Sequence, residues 1–247
     1  MRIKREKVKI DYDKTKTFFE ARGEKYNEAH PYVTTMYQDQ NPQLTDERNR
    51  EETAKILPLL QLDEASRVLD LGCGIGRWAD CIPPSIASYF GVDFSESLIQ
   101  IARSRNTKSN FSFEQMSVCD FGEYYRSSSL LPFNRLIIAG VLTYLNDEDV
   151  EHVLRFLQDI LSPGAVVYIR EPVGIHERLT LKDFYSQELA HDYNVIYRSA
   201  EEYRRLLAER CPALAMVREE FLFDTPALNN RKETSQYYFI LRKEDGR

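Results

Sequence analysis

The chain has 247 residues, of which 43% are hydrophobic, and it carries a formal charge of −6 at pH 7. That size and apolar content suit a single folded domain with a substantial core and exclude a disordered chain. The acidic balance argues against a nucleic-acid partner, because phosphate binding needs a basic surface.

No apolar run approaches the ~18 residues of a membrane-spanning helix. The basic start, residues 1–9, is followed by no apolar segment, so it does not read as a secretory signal. Cys73, Cys81, Cys119 and Cys211 form no Cys-x-x-Cys pair and show no metal-ligand spacing with the four histidines. Together these features predict reduced thiols, no metal, no membrane association and a cytoplasmic location.

In chain order, residues 1–45 are rich in charge and tyrosine (Tyr12, Tyr26, Tyr32, Tyr37) and read as a helical lid region beside the main body. A helix is predicted from Thr45, with Thr45 as its capping residue and acids in its first turn. Residues 67–71 (Arg-Val-Leu-Asp-Leu) form a short buried strand, followed by a glycine-rich turn and a helix over 77–81. Residues 89–93 form a second strand, and Leu98, Ile99 and Ala102 give 95–103 helical spacing. Residues 111–116 form a third strand. Residues 135–141 form a fourth, apolar throughout and therefore central. A helix over 147–161 ends at Ser-Pro-Gly, and 165–170 form a fifth strand.

The stretch 171–198 breaks this rhythm. It is polar, aromatic and too long for a plain connection, so it reads as an acceptor-side insert. A capped helix follows from Ser199, and strands over 216–223 and 236–241 close the chain as an antiparallel hairpin. The alternation predicts an α/β fold: a Rossmann-like, doubly wound, mainly parallel seven-stranded sheet within a single domain over 1–247. Ligands of such sheets bind at the carboxyl ends of the strands.

Gly72, Gly74 and Gly76 follow the first strand, where a Cβ would obstruct a ligand passing close to the backbone. Alone, that pattern serves a nucleotide, a dinucleotide or only a tight turn. Asp93, ending the second strand, is placed to accept ribose hydroxyls. Phe94 and Ser95 follow it directly, and Met116 and Ser117 end the next strand, where they can line an adenine.

Residues 68–77 (Val-Leu-Asp-Leu-Gly-Cys-Gly-Ile-Gly-Arg), 90–95 (Phe-Gly-Val-Asp-Phe-Ser) and 137–145 (Ile-Ile-Ala-Gly-Val-Leu-Thr-Tyr-Leu) resemble successive motifs of class I S-adenosylmethionine-dependent methyltransferases. The resemblance covers roughly residues 45 to 170. It implies S-adenosyl-L-methionine as cofactor. Gly72, Cys73 and Gly74 would then bracket its amino-acid end, with Asp70 orienting the loop. Asp93 would hold the ribose, Phe94, Ser95, Met116 and Ser117 would frame the adenine, and the Gly140 carbonyl would meet the methionine ammonium. The family often has an acidic residue where Ser117 stands. The resemblance also implies that Tyr37 and Arg48 close over the methionine carboxylate; alternatively, Arg48 pairs with Glu52 at i,i+4. Trp78 reads either as cofactor wall or as core.

No motif announces a catalytic base. His176 is the natural one by its ordinary titration range, or else a surface histidine, and Glu171 sits nearer the strand end. Arg170, Tyr185, Tyr197 and Arg198 are candidates for acceptor binding, the arginines for an acidic acceptor. Those arginines and Arg178 can instead pair with Glu171, Glu177 and Asp192. These features predict an O- or N-methyltransferase for a small-molecule acceptor, in secondary metabolism or cell-surface sugar synthesis. Alternatives are a peptide or protein methyltransferase of the N-terminal type, and a catalytically silent binding subunit.

Overall fold

The computed structural model describes residues 1–244. The chain begins with β1 (Arg2–Lys4), α1 (Tyr12–Glu24), α2 (Val33–Met36) and α3 (Pro42–Leu60). Helix α3 starts three residues before Thr45, because Pro42 at its first turn needs no N–H partner there. Then come β2 (Arg67–Leu71), α4 (Arg77–Cys81), β3 (Ser88–Asp93), α5 (Glu96–Arg105), β4 (Phe111–Gln115), α6 (Phe121–Ser127) and β5 (Phe133–Ala139). A 3-10 turn (Leu142–Tyr144) leads into α7 (Asp147–Ile160), β6 (Leu161–Gly174), β7 (Leu179–Ser186) and β8 (His191–Tyr197). The chain continues with α8 (Ala200–Arg210), β9 (Leu214–Phe221) and β10 (Thr234–Lys243).

Seven strands form one sheet in the order β4-β3-β2-β5-β6-β10-β9. The first five run parallel, and β10 is antiparallel to both β6 and β9. This is the expected doubly wound sheet with its antiparallel C-terminal hairpin strand. Successive side chains of a strand face opposite sides, and the central strands are apolar on both. Leu69, Leu136, Ile138, Val167 and Phe239 pack under the helices α7 and α8. Val68, Ile137, Tyr168 and Tyr238 pack under α3 and α4. Both faces are therefore buried, as a parallel sheet requires.

Residues 171–198 are more ordered than their polarity predicts. Strand β6 runs on to Gly174, and β7 and β8 form a hairpin that pairs with β1 in a second, three-stranded antiparallel sheet. Its inner face (Leu179, Leu181, Tyr193, Val195) packs against Phe18 and Phe19 of α1. Two inward apolar positions on each of β7 and β8 are enough to build this sheet, because α1 supplies the other half of the core. The N-terminal region and the insert thus pack together as one unit.

Candidate active site

Strand β2 ends in a turn whose glycines 72, 74 and 76 all have positive φ, a region that favours glycine. The turn is tied to the next strand end: Asp93 Oδ2 accepts the Gly74 N–H at 2.9 Å, and its Oδ1 accepts the Ser95 N–H at 3.0 Å. The Met116 N–H bonds the Asp93 carbonyl, bringing the end of β4 to the same place. Burial pushes the Asp93 carboxyl up to about 6, against the pull of the Ser95 and Gly74 amides. Asp70 lies buried beneath the turn and is hydrogen-bonded by Tyr89; burial pushes its carboxyl up to about 7. Cys73 is buried, with its thiol pushed up by burial. Ser95 caps α5 through its hydroxyl.

Helices α1 and α2 cover this turn. A Cβ on Gly74 would meet the Thr35 methyl at 2.9 Å. Phe19 packs edge-on against Phe94 and Tyr144, with ring centroids 5.4 and 5.0 Å apart.

A cavity of about 370 Å³ opens beside it. Gly140, at the carboxyl end of β5, lies on its wall with Tyr37, Arg48, Arg170 and Tyr197. The other predicted cofactor residues, Trp78 excepted, are grouped at the glycine turn and the ends of β2, β3 and β4, and none of them lines the cavity. Tyr37, Tyr144, Tyr193 and Tyr197 also line the cavity. The Tyr144 and Tyr193 hydroxyls share a hydrogen bond of 2.5 Å. Burial pushes all four phenols well up, Tyr197 to about 12, so they stay protonated at neutral pH.

Glu52 is a buried carboxylate of this wall, which the sequence offers only as a partner for Arg48 on a helix face. Arg170 Nε bonds it at 3.1 Å, Arg77 Nη1 pairs with it at 3.1 Å, and Tyr168 donates to it at 2.8 Å. Burial raises its carboxyl, but Arg170 and Arg77 more than offset that and hold it below the usual range. Its signal was the spacing Glu52, Ile56, Leu60, which puts it on the buried stripe of α3. Arg48 does not pair with Glu52. Its Nε and Nη2 donate to the Leu228 carbonyl at 2.9 and 2.6 Å, and Nη2 also reaches Asn230 Oδ1.

Five predicted residues lie elsewhere. Glu171 is fully buried, and its two oxygens accept the backbone N–H groups of Val141, Leu142 and Thr143. That bonding fixes the 3-10 turn, while burial pushes the carboxyl up to about 7. Arg198, also fully buried, clamps the same turn through the carbonyls of Leu142 and Leu145 and pairs with Asp147. The arginine network exists with partners other than those expected: Arg178 pairs with Asp147 and Glu202, and Glu177 with Lys4 and Arg5. His176 is exposed in the turn after β6, and Tyr185 is exposed on β7. Trp78 is core, packed edge-on against Tyr168.

A family model described as a methyltransferase domain matches residues 43–210. The chain belongs to this methyltransferase family. The chain is 29% identical to phosphoethanolamine N-methyltransferase 1 of Zea mays over 126 residues, covering 51% of this chain and 25% of that protein. It is 30% identical to trans-aconitate 2-methyltransferase of Variovorax paradoxus over 140 residues, covering 54% of this chain and 50% of that one. The chain thus spans a quarter to a half of the length of these two relatives. Among solved structures, phosphoethanolamine N-methyltransferase 1 of Haemonchus contortus, with phosphoethanolamine and S-adenosylhomocysteine bound, superposes with a TM-score of 0.68 at 19% identity. That match covers 95% of this chain and 50% of that one. The DhpI–S-adenosylhomocysteine complex gives 0.65 at 16% identity, covering 94% and 97%. These likenesses in fold cover nearly the whole chain.

Among the described residues, no helix is long and apolar enough to cross a membrane, and no group of three or more His, Cys, Asp or Glu is gathered as a metal site.

Proposed function

We propose that this methyltransferase moves the methyl group of S-adenosylmethionine to a nitrogen or oxygen of a small molecule held in the cavity under the lid. The observation that carries the reading is the closeness of the Asp93–Gly74 turn to a walled cavity lined by Gly140 and by Thr35, which lies against Gly74. The bound cofactor supplies an electrophilic methyl on a sulfonium. Asp93 accepts the ribose hydroxyls, the Gly140 carbonyl accepts from the methionine ammonium, and Phe94 and Met116 border the adenine. The aromatic lid excludes water, which raises the yield of the displacement.

None of the four histidines lines the cavity, and its carboxylates Glu52, Glu188 and Glu233 are each ion-paired. The protonated tyrosines are no better as bases. Alignment therefore does the catalytic work, and the acceptor brings its own lone pair, as a neutral amine or a carboxylate does. The relatives above, a phosphoethanolamine N-methyltransferase and a trans-aconitate 2-methyltransferase, agree with that. A walled cavity favours a small acceptor over a peptide.

Calorimetry with S-adenosylhomocysteine tests the cofactor half. Wild type is expected to bind one equivalent, and Asp93→Ala to lose it. No binding by wild type would refute the reading.

A further inference from the structure

Arg48 is a nearly buried cation that forms no ion pair among the described residues, with only the through-space attraction of Glu188, itself bonded to Arg231. Its Nε and Nη2 are spent on the Leu228 carbonyl and Asn230, and its Nη1 bonds no described residue. The carboxylates of the same cavity are committed elsewhere: Glu52 to Arg77 and Arg170, Glu188 to Arg231, Glu233 to Arg2 and Lys4. Burial, with repulsion from Arg231 and Arg170, pulls the Arg48 guanidinium down to about 10, so it is still charged at neutral pH. A buried charge is costly until something of opposite sign meets it. A guanidinium with one nitrogen free, fixed by carbonyls at the others, is a directed donor for a carboxylate or phosphate oxygen.

The position also matters. Leu228, Asn230 and Arg231 all belong to the connection between β9 and β10, and the Phe223 ring lies 5.9 Å from the Arg48 guanidinium. The glycine turn, by contrast, is built on β2 and β3. The cavity is thus lined both by cations, Arg48 of α3 and Arg231 of the β9–β10 connection, and by the phenols Tyr37, Tyr144, Tyr193 and Tyr197.

We propose that Arg48, with Arg231 beside it, seats an anionic group of the methyl acceptor, a phosphate or carboxylate, while the accepting atom lies toward the tyrosines and Gly140. This rests on the functional reading above. It also reassigns Arg48, which the family resemblance gave to the cofactor's own carboxylate.

The test is calorimetry on the protein saturated with S-adenosylhomocysteine, using inorganic phosphate and succinate as probes. Wild type is expected to bind at least one of them saturably. Arg48→Met is expected to weaken that binding at least about tenfold while changing S-adenosylhomocysteine affinity less than about threefold. Arg231→Ala, at a more exposed site, is expected to weaken the same anion about threefold; it decides the matter if Arg48→Met fails to fold, and an unchanged affinity there overturns the proposal. Failure of both anions to bind the saturated wild type overturns it. So does an Arg48→Met protein that loses S-adenosylhomocysteine but keeps 5′-methylthioadenosine, which lacks the carboxylate. If wild type does not bind S-adenosylhomocysteine at all, the functional reading falls first and this proposal with it.

Discussion

Asp93 and Gly74 are joined across two strand ends: the carboxylate takes the backbone N–H of the glycine turn at 2.9 Å. The bond orders the turn before any ligand arrives and leaves the remaining lone pairs of Asp93 as acceptors for hydroxyl groups.

Cofactor binding is therefore expected to depend on pH through Asp93. Its carboxyl stands at about 6 in the free protein, raised by burial. Hydroxyl donors favour the ionised form, so binding lowers that value. Affinity for S-adenosylhomocysteine is expected to be level above about pH 6 and to fall by up to about tenfold per unit below it. Calorimetry across this range checks the slope; Asp93→Asn is expected to bind weakly with a flat profile.

Glu171 is expected to matter for stability rather than for chemistry. Its oxygens serve three backbone N–H groups, and Glu171→Gln turns one acceptor into a donor facing them. The variant is expected to lose about 1–3 kcal/mol in urea unfolding near neutral pH, with S-adenosylhomocysteine affinity changed less than about threefold. The folded value, about 7, lies above the unfolded one. Its contribution is thus full below about pH 4.3 and lost as pH rises through about 7. Wild-type stability is expected to carry that decline and the glutamine variant to lack it.

Glu52 balances two buried arginines. Glu52→Ala leaves Arg77 and Arg170 without their counter-charge and is expected to cost about 3–5 kcal/mol. Urea unfolding measures it, and a loss under about 1 kcal/mol would contradict the account.

His176 is exposed and outside the cavity. His176→Ala is expected to leave kcat/KM within about twofold, whereas loss of a general base costs about a hundredfold or more.

The sheet and the glycine turn were legible because their signals are local. Apolar strands, positive-φ glycines and a carboxylate at the next strand end need no distant partner to be recognised. The lid was less legible. Strand β1 exists only because β7 pairs with it, and the inner face of the hairpin is completed by Phe18 and Phe19 from far upstream. Glu52 hid among the charges of α3, since only the packing of Arg77 and Arg170 onto it distinguishes it from a solvated glutamate. Trp78, equally able to border a ligand or fill a core, was settled by Tyr168.

The most direct test of the whole account is transfer of labelled methyl from S-adenosylmethionine to two acceptor pools, one of small amines and carboxylates bearing an anionic group, the other of peptides. The account predicts label in the small-molecule pool, lost in Asp93→Ala. Label confined to the peptides, or label in small molecules that survives in Asp93→Ala, would contradict it.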